Sequence, residues 1–141
     1  MTRGMLIMTG NTVIRRLAMI NLGLAALQPI SAGFFLSGSG HAAEIHRGVA
    51  LALQVGALIQ AIAAVVLSRR GRVPTQVAQR GIGLFVMVSV QLWLGFHHQY
   101  WLHVPLGVGV ISALMRQVSR PDTLDTGVRV APVGATVRCE P

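Results

Sequence analysis

The chain has 141 residues, room for one domain. Only 11% of it is charged against 52% hydrophobic, with a mean hydropathy of +0.61; a water-soluble domain carries about 25% charged residues, so an ordinary soluble surface is excluded. Twelve basic residues against four acids give a formal charge of +8, but these arginines lie between apolar runs with few aromatics beside them, which argues for membrane anchoring and against a nucleic-acid partner.

The fold class expected is all-α, a four-helix transmembrane bundle. A helix needs about 20 apolar residues to cross the hydrocarbon core, where its backbone groups must bond internally. Residues 1–16 form a cytoplasmic N-terminal segment carrying Arg3, Arg15 and Arg16. The four-helix domain follows over 17–117. Its first span, 17–36, has no charge but contains Asn21, Gln28 and Pro29, which turn one side toward other helices. A reading of Arg15-Arg16, the apolar run and Gly40-His41-Ala42 as a cleaved leader fits less well, because a leader's apolar region is about 7–15 residues.

The second span, 48–67, ends at Ser68-Arg69-Arg70-Gly71-Arg72. The third and fourth, 82–96 and 100–115, are short and joined by His97-His98-Gln99 as a helical hairpin. Residues 118–141 lack apolar periodicity and read as a flexible cytoplasmic tail. Its Cys139 is the single cysteine, so no disulfide forms within the chain. With four spans, eleven arginines fall on one side and Arg47 alone on the other. The positive-inside rule then puts both termini in the cytoplasm, in a multi-pass protein of a bacterial plasma (inner) membrane. Trp93, Tyr100 and Trp101 sit toward the outer ends, as interfacial aromatics do.

This topology puts all five histidines, at 41, 46, 97, 98 and 103, on the outer side. His46 and His103 open the two descending spans at matching depth. Two neutral imidazoles on opposed helices complete an octahedral iron, so the expected cofactor is haem b with His46 and His103 as metal ligands. Gly107, one turn below His103, leaves room for a flat ligand, and Arg47 is placed to pair with a propionate. His98 is a possible replacement for either ligand. His41 and His97 read as interfacial loop residues. Gln28, Gln54, Gln60 and Gln91 read as interhelical hydrogen-bond partners, and Glu44 as a carboxylate favoured by the helix N-terminus.

These residues carry a resemblance. Gly33-Phe34-Phe35-Leu36-Ser37-Gly38-Ser39-Gly40, then Glu44-Ile45-His46-Arg47, Gln91-Leu92-Trp93-Leu94-Gly95 and Leu102-His103-Val104 resemble one four-helix half of the haem A synthase family over residues 17–115. The resemblance implies a bis-histidine bundle with ligands on its second and fourth helices. Glu44 stands two residues before His46, where the family pattern has three, and one half lacks the family's second haem site. Haem ligation is therefore implied and oxygenase activity is not. The expected role is electron transfer or haem handling, with the lipid bilayer, a membrane redox protein or quinone, and a second copy as partners. The alternative is a haem-free membrane protein acting as a structural or regulatory subunit, or as a small transporter with Gln28, Gln60 and Gln91 along a polar path.

Overall fold

The computed structural model describes residues 2–119, with side chains from residue 10 onward. The expected tail therefore lies outside the described residues from position 120. Four helices and no strand make up the described chain: α1 (Thr2–Leu36), α2 (Gly40–Arg69), α3 (Thr75–Phe96) and α4 (Tyr100–Ser119). Three of them, over Gly10–Leu36, Gly40–Arg69 and Thr75–Phe96, are long and apolar enough to cross a membrane. At 20 residues α4 has the length, but His103, Arg116 and Gln117 dilute its apolar run.

Three helices begin earlier than the expected spans, α1 at residue 2 and not 17, α2 at 40 and not 48, α3 at 75 and not 82, whereas α4 starts at Tyr100 as expected. Helix α1 takes in the N-terminal segment, because nothing among residues 2–16 breaks a helix that the first span has already nucleated. Its 35 residues reach about 52 Å, well beyond the hydrocarbon thickness of roughly 30 Å. Its early part packs on the α2–α3 loop, where Gly10 lies against the Arg72 carbonyl and the buried Val73. Helix α4 begins three residues before His103 and keeps Pro105 inside it. A proline this close to the start frees only a carbonyl of the opening turn.

The turns follow one design. After α1, Gly38 N–H bonds the Phe35 carbonyl (3.0 Å) and Ser39 N–H the Phe34 carbonyl (3.2 Å). The same pair of bonds closes α2 around Gly71 and α3 around His98. This is the Schellman arrangement, which needs a left-handed residue just past the helix. Gly38 and Gly71 supply it freely at φ of 96° and 66°, whereas His98 holds φ of 57° with a side chain.

Short turns make the bundle antiparallel: each helix packs on its chain neighbours, and α4 closes against α1. The diagonal pairs, α1 with α3 and α2 with α4, do not pack backbone to backbone among the described residues. The centre of the bundle is an apolar cluster of Ala25, Leu53, Ala57, Leu84, Val88, Val110 and Leu114. Gly81 lets α3 settle on α2, since a Cβ there would stand 3.2 Å from Ala61 Cα and from Ala64 Cβ. Large apolar side chains meanwhile face outward on every helix, among them Ile20, Phe34, Ile59, Val86, Val104 and Met115. Apolar residues both inside and outside are the pattern of a bundle solvated by lipid.

Candidate axial-imidazole site

Polar residues lie above and below the apolar centre. Near the ends of α2 and α4 remote from the turn-side pair of histidines, Asn21 Nδ2 donates to Gln60 Oε1 (2.8 Å), and Gln60 Nε2 donates to Gln117 Oε1 (2.6 Å). Asn21 and Gln60 are fully buried. Gly56 makes the approach possible, because any Cβ there would collide with Asn21 Oδ1. Beside the core, Gln54 Nε2 donates to Ser89 Oγ (2.9 Å). These amide bonds tie helices together.

The opposite end holds His46 and His103. They come from the diagonal helices α2 and α4, yet their rings meet across the bundle, with centroids 6.4 Å apart and planes inclined at 58°. Each ring is held through Nδ1 by the helix preceding its own. His103 Nδ1 lies 2.9 Å from the Gln91 carbonyl oxygen. A carbonyl only accepts, so this nitrogen carries the proton and Nε2 carries the lone pair. His46 Nδ1 lies 3.1 Å from Ser31 Oγ, whose one proton is directed to the Leu27 and Gln28 carbonyls, both at 3.0 Å. The Ser31 hydroxyl, which can donate or accept, thus holds the His46 ring through Nδ1. The Nε2 lone pair of His103 is available to a metal.

The backbone is gripped as well. Gln91 Nε2 donates to the His103 carbonyl (2.7 Å), and Gln28 Nε2 to the His46 carbonyl (3.4 Å). Each hairpin thus repeats one device: a glutamine on the first helix anchors the main chain of a histidine on the second, and an acceptor on the first helix fixes its ring. Gly95 gives His103 its seat, since a Cβ there would stand 2.9 Å from the ring's Cε1.

The other expected residues are placed differently. Gly107 faces Gln91, whose Nε2 lies 3.0 Å from where a Cβ would be, so an amide occupies the space read as room for a ligand. Arg47 is exposed beside His46. His98 stays in the α3–α4 turn, exposed, with Nδ1 2.7 Å from Tyr100 Oη, and is not brought to the His46–His103 pair. His97 stacks on Trp93 at 4.2 Å between centroids, and His41 is exposed. Glu44 lies beyond the first turn of α2, where little of the helix macrodipole's pull on a carboxylate remains. Sequence reasoning missed Ser31 and Gly95. Ser31 had a signal in its spacing: three residues after Gln28, it shares that residue's helical face.

A metal–imidazole bond of roughly 2.0 Å plus the radius of each ring sets two axial imidazole centroids about 6 Å apart. The separation of His46 and His103 fits this. Among the described residues no three His, Cys, Asp or Glu side chains gather, so the pair offers a metal two nitrogens and leaves further positions to another ligand. A porphyrin supplies four. No protein-family model matches the chain, and neither a curated protein nor a solved structure is similar to it.

Proposed function

We propose that this chain is a b-type haem protein of a bacterial plasma membrane, with both termini in the cytoplasm and the haem between His46 and His103 near the outer face. The observation that carries the reading is the meeting of two imidazoles, 6.4 Å apart, from diagonal helices whose backbones do not pack on each other. The arginine distribution supports the orientation: Arg69, Arg70, Arg72, Arg80 and Arg116 lie near the helix ends remote from the histidines, and Arg15 and Arg16 lie in the half of α1 remote from them.

A haem held by two imidazoles supplies one-electron transfer. What the chain's own residues contribute is position. Ser31 and the Gln91 carbonyl hold the rings through Nδ1 and so aim Nε2, a second layer of bonding that fixes ring orientation. Arg47, exposed beside His46, would be the cation offered to a propionate, and Leu53, Leu84, Val88 and Val110 belong to the buried apolar cluster of the bundle. The function we infer is electron transfer or haem handling with a membrane redox protein or a quinone, and a second copy of the chain would fit so small a bundle. The likeness to one half of the haem A synthase family belongs to this same proposal.

One observation favours a haem-free structural subunit instead: Gln91 Nε2 fills the space beside Gly107. One experiment separates the two. The protein is purified in mild detergent from haem-replete cells and its reduced-minus-oxidised spectrum recorded. The haem reading requires sharp low-spin bands that each single change, His46→Ala or His103→Ala, removes. A folded, colourless protein selects the structural subunit.

A further inference from the structure

At the end of the bundle remote from the histidines, packing fixes the relative depths of the helices. Hydrogen bonds put Asn21, Gln60 and Gln117 close to one level, and Gly81 sits against Ala61 and Ala64, about a turn away. Arg116 directly precedes Gln117, and Arg80 directly precedes Gly81. Arg16 lies about 7.5 Å before Asn21 along α1, with Arg15 one residue further. Four arginines from three helices therefore share a band roughly 10 Å deep, and all four are exposed. The middle of the band is about 25 Å along the bundle from the level of His46, close to the hydrocarbon thickness of roughly 30 Å. Arg69 and Arg70 stand past it, about 14 Å beyond Gln60 along α2.

This band has no counter-charge of its own. Glu44 is the only acid among the described residues, and it lies near the opposite end of α2. In residues 120–141, Arg120, Arg129 and Arg138 are matched in number by Asp122, Asp125 and Glu140, so that segment brings no net side-chain charge. An arginine at this depth covers apolar surface with its stem and carries its head into the headgroup layer. The chain holds no lysine, and a guanidinium meets a phosphate with two parallel N–H bonds, which an ammonium cannot do. Helices α1 and α3 stand diagonally across the bundle, so the band runs round the perimeter and forms no single groove. Separate lipid molecules fit such a surface; one extended polyanion in water does not.

We propose that this band binds anionic phospholipid, each guanidinium taking a headgroup phosphate in the leaflet at that end. Zwitterionic headgroups offer the same phosphate but carry a cation that repels the arginine, so the surface selects for net negative charge. The proposal needs the bundle to span a bilayer, and it does not depend on the histidine pair holding haem.

The test reconstitutes the full chain in phosphatidylcholine vesicles and measures, by electron spin resonance, how much spin-labelled lipid it immobilises. Wild type should prefer labelled phosphatidylglycerol over labelled phosphatidylcholine by about 5-fold at low salt, the gain one cation brings beside an anionic headgroup. That preference should weaken at about 1 M salt, where charges are screened within roughly 3 Å. Arg80→Gln combined with Arg116→Gln should remove about half of it, since two of the four contacts are gone. Arg69→Gln combined with Arg70→Gln, equal in charge loss but past the band, should leave it in place. Both double variants keep most of the arginines at this end, which preserves the orientation. Equal immobilisation of the two lipids by the wild type overturns the proposal. So does an equal fall in both double variants, which would mean diffuse attraction by net charge. If a variant fails to insert, the wild-type comparison decides alone. Capture of polyglutamate without any lipid preference would assign the band to an acidic protein and overturn the proposal as well. A colourless sample counts only against the haem reading and leaves the lipid result as it stands.

Discussion

The two polar layers of this bundle are built from similar materials and finished differently. In the layer of Asn21, Gln60 and Gln117, amide is bonded to amide, and a three-helix tie results. In the layer of His46 and His103, each side chain is bonded on one nitrogen only, to its own hairpin, and the second nitrogen is left over. Burying polar groups among apolar helices is costly in either case. In the first layer amide-to-amide bonds set helix registry, with Asn21 Oδ1 left unpaired; in the second, bonds to the neighbouring helix set the orientation of two rings. The two layers therefore differ in what their bonds fix: helix against helix in one, side chain against helix in the other.

The sharpest way to break this comparison is at the imidazoles. The double change His46→Ala with His103→Ala should abolish all haem absorbance while leaving helical circular dichroism intact, because the amide layer still ties the helices. Loss of the helical signal together with the haem would mean the histidine layer is structural too. Next in size is Gly95→Ala. Its methyl would press on His103 Cε1, and we expect haem affinity to fall by roughly 10–100-fold, measured by titrating the apoprotein with haemin.

In the amide layer, Gln60→Leu removes both amide bonds, those to Asn21 and Gln117. Interhelical hydrogen bonds in membranes average about 0.6 kcal/mol and reach about 1.7, so a destabilisation of about 1–2 kcal/mol is expected in detergent unfolding, with an unchanged haem spectrum. A spectral shift in this variant would show that the layers are coupled. The smallest effect is expected at the turn. His98→Gly relieves a left-handed side chain, should stabilise the α3–α4 hairpin by about 1 kcal/mol, and should leave the haem bands in place. Their loss would give His98 a part in ligation.

Much of the architecture was legible in the chain. Apolar runs between arginine clusters set out the helices, although α2 and α3 begin before those runs do. The α3–α4 turn was placed by its polar residues, while the special backbone of His98 carried no mark. The N-terminal extension of α1 was missed because its arginines interrupt an apolar window without interrupting a helix. At the site, His46 and His103 could be matched by depth, and the amides were correctly read as interhelical partners. Their bonds could not be assigned: Gln60 turns to Asn21 and Gln117, whereas Gln91 turns to a backbone carbonyl and fills the space beside Gly107. The role of Ser31 was hidden because a serine in an apolar helix commonly bonds its own preceding turn, as this one also does.

What the sequence determined alone was local and one-dimensional: which segments are helical, where they stop, and which residues share a face, since these follow from backbone geometry and the 3.6-residue period. Only the tertiary structure decided that a residue of α2 meets one of α4 across the bundle, and which nitrogen of each imidazole is left free. Both depend on how far each helix is rotated about its axis, and that rotation is set by the packing of all four helices together.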